Sequence, residues 1–120
     1  ISTGRWHHAA VVADRAAGQL RMYLDGNEVA SRALPSAAFV ASTGSLLIGR
    51  DRENAAAFEG TVDEVRLWSV ARTGAQIAAA RSAPLAAGDR AGLSLYLPLD
   101  ETAGRAATDA GPNAANATIV

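Results

Sequence analysis

Between residues 58 and 68 the chain reads Phe58-Glu59-Gly60-Thr61-Val62-Asp63-Glu64-Val65-Arg66-Leu67-Trp68, a glycine turn feeding an extended run. Alternation puts Val62, Glu64, Arg66 and Trp68 on one side and Asp63, Val65 and Leu67 on the other. Neither face is cleanly apolar, so a simple half-buried strand does not account for it. Whichever carboxylate points inward has to be hydrogen-bonded, charge-paired or ion-bound, because a bare buried one is costly.

The rest of the chain supplies more short strands separated by turns. Residues 6–12 alternate Trp6, His8, Ala10, Val12 against His7, Ala9, Val11, with both faces largely apolar. Residues 20–24 form a second strand, and Asp25-Gly26 is a type I′ hairpin signal because both residues tolerate positive φ. Residues 29–34 return as a third. A fourth, short and buried, is expected over residues 44–49 between two glycines. The period changes after Trp68: Thr73 can cap a short helix near residues 73–80, whose main apolar contact is Ile77. Residues 83–92 read as an alanine-rich linker. Residues 93–101 resume a strand, in which Pro98 favours an edge or a bulge. The class is all-β.

Composition narrows the choices. A chain of 120 residues is one small domain. It is 49% hydrophobic, but much of that is alanine, and there are two Trp, two Tyr and two Phe. A complete sandwich fills its interior with more bulk. The net charge of -1, with no run of like charge, leaves no electrostatic footprint for nucleic acid or anionic lipid. No apolar run is long enough to insert in a membrane. Cysteine is absent, which disfavours a small disulfide-stapled secreted domain. The first residue is Ile1, so the start is expected to lie inside a longer protein.

Four motifs in order carry a resemblance: Trp6, His8 and Ala10; Leu20, Tyr23, Asp25 and Gly26; Leu47, Ile48 and Gly49; then Phe58, Gly60, residues 62–65, Leu67, Trp68, Ala71, Arg72, Thr73 and Ile77. In this order and spacing the chain resembles the laminin-G-like, concanavalin A-like jelly-roll modules of secreted bacterial proteins. Gln76 stands where that family usually has Glu. Gly92, Leu93, Tyr96, Asp100, Glu101, Gly104, Asp109 and Gly111 resemble the segment that often follows, with Ala117 in place of a usual glycine. The resemblance implies an antiparallel β-sandwich whose opening strands lie upstream. Residues 1–82 would be the C-terminal part of one jelly roll. Residues 93–120 would close the same sandwich or open the next module. Such a piece would leave a sheet edge unpaired and core surface exposed.

Candidate chemistry is sparse. His7 and His8 are adjacent on a strand and point to opposite faces, so they do not easily share one ion. His8 is expected in the core with a backbone partner, His7 in solvent. Asp63 is expected either to satisfy loop amides or to ligate calcium with Asp109 and Asn113; Asp51 and Asn54 are donors of the same kind. The resemblance adds weight to calcium, since many such modules hold it. The E-x-D-x-x-E strand of concanavalin A-like glucanases and the G-x-S-x-G elbow of serine hydrolases are both missing, which argues against catalysis. Trp6, Trp68 and Tyr23 are expected to fill the core. Arg50, Asp51, Arg52 and Asn54 form the loop expected to meet a ligand.

The function these readings imply is non-catalytic recognition or adhesion, secreted or at the cell surface, with a glycan or protein ligand and possible structural calcium. The alternatives are a structural repeat that packs against neighbouring copies, and an accessory domain of a secreted hydrolase.

Overall fold

The computed structural model describes residues 4–35, 44–51, 53 and 57–119. Its elements are β1 (Ala9–Asp14), β2 (Gln19–Leu24), β3 (Asn27–Ala33), β4 (Val65–Trp68), α1 (Gly74–Ala80), β5 (Leu93–Leu97), β6 (Ala106–Ala107) and β7 (Ala117–Thr118). A single 3-10 turn covers Ala87–Asp89. Every strand pairing is antiparallel, and the class is all-β as expected.

The first sheet runs β1-β2-β3, with Val11 opposite Met22 and Ala10 opposite Tyr23. The turn between β2 and β3 has φ of 52° at Asp25 and 84° at Gly26, as a type I′ hairpin requires. Gly26 has a second constraint: a Cβ there would come within 3.1 Å of Ala78 on α1. The helix starts at a reciprocal capping box, in which Thr73 Oγ1 accepts from Gln76 N and Gln76 Oε1 accepts from Thr73 N. It buries Ile77 against Val12 and Tyr23, forming the first of two cores among the described residues. Both the cap and the contact agree with the sequence.

The second core lies between β4 and β5, where Leu85, Leu93 and Tyr96 pack with Trp68. Leu97 is fully enclosed beside them. Residues 83–92 carry more than spacing: Leu85 is buried, and its N–H donates to the Tyr96 hydroxyl at 3.3 Å. The strands on either side of this segment, β4 and β5, pair with one another. The Cα radius of gyration is 15.1 Å, against about 13.6 Å for an average domain of this length.

Several expectations are corrected. Trp6 is 65% exposed instead of filling the core. It precedes β1, and on the same sheet Val11 and Met22 are exposed as a register pair. No described residue covers that face, so its apolar side chains meet solvent. The fourth strand does not form over residues 44–49; only an isolated bridge joins Arg50 to Ala57, and Leu46 is 64% exposed. A short apolar run becomes a strand only if a neighbour takes its ladder hydrogen bonds. The strand expected over residues 61–68 begins at Val65, because Glu64 has φ of 55° and breaks the extended run. Phe39, expected to anchor a loop over residues 36–43, lies outside the described residues.

Candidate functional site

The break at Glu64 rearranges the charges that the alternation pattern had assigned to faces. Asp63 is exposed, and its Oδ1 accepts from Glu64 N at 3.0 Å. It therefore serves a local turn rather than an inner face. Arg66 is the enclosed charge, its side chain only 10% exposed. Its guanidinium donates to Ala80 O and Ala83 O, both at 2.8 Å, and to the Glu64 carboxylate. An arginine is tolerated there because the end of α1 and the following turn supply free carbonyls. Arg66 and Glu64, which alternation puts on one side, pair largely out of solvent.

Tyr96, 4% exposed, is the centre of this network. Its hydroxyl donates to Glu64 at 2.9 Å, and its ring lies 5.5 Å from the Arg66 guanidinium and 5.6 Å from that of Arg90. Its backbone N–H donates to Asp109 Oδ1 at 2.8 Å. Asp109, 6% exposed, accepts two further amides: Gly111 N at 2.7 Å on the same oxygen and Ala115 N at 2.8 Å on Oδ2. Those amide hydrogen bonds hold its carboxyl below the ordinary carboxylate range, Tyr96 N contributing most. Asn113 Nδ2 donates to Ser94 O at 2.9 Å, tying the same loop to β5.

A calcium ion needs about six to eight oxygen ligands. Asp109 has three of its acceptor sites occupied by amides, Asn113 presents its nitrogen to Ser94, and Asp63 is turned to its own loop. The arrangement does not fit a calcium cage. Among the described residues no group of three or more His, Asp or Glu side chains gathers to hold any metal.

The histidines exchange roles relative to expectation. The His7 side chain is the enclosed one: Nδ1 donates to Asp25 Oδ2 at 2.8 Å and Nε2 accepts from Arg5 Nε at 3.2 Å. Asp25 Oδ1 also accepts from His8 N at 2.9 Å, while Asp25 N donates to His8 O at 2.8 Å. The hairpin turn is thereby latched to the chain entering β1. His8 is half-buried, and its Nδ1 has no hydrogen-bond partner among the described residues. Burial first, then the positive charges of Arg66 and Arg81, push its pKa down against the pull of Asp25.

Of the loop residues expected to meet a ligand, Arg50 and Asp51 are exposed, while Arg52 and Asn54 lie outside the described residues. Sequence reasoning missed a cleft on the other side of α1. Arg72, Gln76, Ala79, Ala80, Gly88, Asp89 and Ala91 line it, and it is an open cleft of about 250 Å³. The Arg72 guanidinium carbon lies over the Trp68 ring, 4.1 Å from its centroid. No spacing rule pointed to the contact of Trp68 and Arg72, because residues 69–73 are irregular rather than helical. The place of Asp89 was not legible, because it depends on how residues 81–92 fold back.

The sequence and the fold are similar to those of known proteins. Residues 1–78 match the model of the concanavalin A-like lectin/glucanases superfamily. No curated protein matches the chain. A crystal structure of a "putative carbohydrate binding protein" from Bacteroides ovatus aligns with a TM-score of 0.73 and 29% identity, over 92% of this chain and 33% of that one. This chain thus spans about a third of that protein's length. The antiparallel strands, the single helix packed on the hairpin and the match over nearly two thirds of the residues agree: the chain belongs to the concanavalin A-like lectin/glucanases superfamily and has its laminin-G-like fold.

Proposed function

We propose that this chain is a non-catalytic glycan-recognition module of a secreted or cell-surface protein. The observation that carries the reading is the likeness, at 29% identity over 92% of the chain, to a protein named for carbohydrate binding. The side-chain chemistry supports it. Each carboxylate that is not fully exposed already serves the fold: Asp14 with Arg21, Asp25 with His7, Glu64 with Arg66 and Tyr96, Asp109 with three amides. A glycosidase needs a pair of carboxylates held across a cleft and available to the sugar. The test is a glycan array probed with the intact protein, followed by an assay for release of reducing sugar from any glycan bound. Binding without turnover supports the reading; turnover, or silence across the array, removes it.

The exposed apolar pair Val11 and Met22, beside the edge strand β3, favours a second reading in which the module packs against a neighbouring domain or copy. Sedimentation of the intact protein across a concentration series separates the two. Self-association with no glycan bound would favour packing alone.

A further inference from the structure

We propose that the cleft between α1 and the Ala87–Asp89 turn is a binding subsite for one unit of a neutral saccharide. The inference rests on the glycan-recognition reading and assigns that recognition a place. The cleft combines three planar polar groups with a floor of small residues. Arg72 is half-buried, and its guanidinium carbon lies over the Trp68 ring at 4.1 Å. Its N–H donors have no protein acceptor among the described residues. Asp89, across the cleft, has a carboxylate with no hydrogen-bond or ion-pair partner among the described residues. Gln76 adds an amide whose oxygen is held by Thr73 N, which orients its NH₂ group.

This set matches the hydroxyls of a sugar ring. A carboxylate accepts from two neighbouring hydroxyls, while a guanidinium and an amide donate to hydroxyl lone pairs. The volume of about 250 Å³ lies just below the range of roughly 300–1,000 Å³ for pockets that take drug-sized ligands, which suits one ring of a longer chain. Ala79, Ala80, Gly88 and Ala91 allow close approach of an apolar ring face. The charges select against anionic sugars: Arg72 and Asp89 cancel, and a uronate drawn to Arg72 would meet the Asp89 carboxylate. Gly88 is the test position, since a Cβ built there meets nothing within 4 Å. Gly88 lines the cleft, and a larger side chain there has room without disturbing the fold.

The experiment is an array of neutral and uronic-acid oligosaccharides, then calorimetric titration of the tightest neutral binder into the intact protein and three variants. Gly88→Leu and Asp89→Ala are expected to weaken binding at least tenfold with unchanged melting temperature. Arg72→Lys, which keeps the charge and loses the planar fork, should also weaken it. Amide resonances of Gln76, Gly88 and Asp89 should shift on titration. If a neutral glycan binds and all three variants bind it equally, the cleft is not the subsite although glycan recognition stands. Preferred binding of uronates would overturn the selectivity argued here. If no saccharide on the array binds, both the function and the subsite fall.

Discussion

The Tyr96 hydroxyl donates to the Glu64 carboxylate at 2.9 Å, joining β5 to the residue at which the chain breaks before entering β4. Glu64 holds a positive φ of 55°, an uncommon conformation for a residue with a Cβ. Its carboxylate contacts with Tyr96 and Arg66 offset that local cost, so tertiary partners fix a backbone geometry that local preference disfavours.

Removing the hydroxyl should expose this dependence. Tyr96→Phe leaves Leu85 N–H without its acceptor and Glu64 with Arg66 as its remaining donor. Stability is expected to fall by about 1–3 kcal/mol, the range for stranding buried hydrogen-bond partners. Arg66→Lys should not substitute for arginine, because one ammonium cannot reproduce a fork spread over Ala80 O, Ala83 O and Glu64. Urea denaturation midpoints measure both. A Tyr96→Phe protein as stable as the parent would contradict the role assigned to the hydroxyl.

Asp109 is a structural carboxylate whose removal acts at a distance from any ligand. Asp109→Ala strands the amides of Tyr96, Gly111 and Ala115 and should cost on the order of 3 kcal/mol. Asp109→Asn should recover part of that, since one amide oxygen can still accept from Tyr96 and Gly111 while its nitrogen faces Ala115 N–H. Hydrogen exchange at those three amides reads the effect site by site. Chelator should leave the parent's melting temperature unchanged, because the carboxylate is engaged with backbone rather than a metal.

Acid should weaken the fold in two stages. The pKa of His8 is lowered in the folded state, chiefly by burial. Below its unfolded value of about 6.5 the unfolded chain takes up a proton that the native ring resists, so stability falls until the folded pKa is passed. The carboxyls of Asp25 and Asp109 are also lowered, by His7 in the first case and by the Tyr96 amide in the second. Their contribution is intact above about pH 4 and is lost as pH falls through their folded values. His8→Phe should flatten the urea midpoint between about pH 7 and 5 and leave the lower stage in place. An unchanged slope in that interval would rule out His8 as its source.

Much of the first core was legible because its signals are local. Asp25-Gly26 dictates a hairpin through positive φ, and Thr73 with Gln76 dictates a helix start through two short-range hydrogen bonds. Both are decided within a few residues. The apolar runs at Leu46 and Trp6 misled for the opposite reason. Their burial requires a partner layer, and among the described residues none covers them.

What the chain's own residues determined is the antiparallel class, the turn and cap positions, and membership of a lectin-like superfamily, since each follows from short-range backbone preference or from spaced motifs. The tertiary structure alone decided which charges face inward. Glu64 could break the strand only because Tyr96 and Arg66 receive its carboxylate, and Arg66 could be enclosed only because the end of α1 offers carbonyls. The same holds for Arg72 and Asp89, seventeen positions apart in sequence. They share a cleft because residues 81–92 return over the helix, and no alternation rule reaches across such a turn.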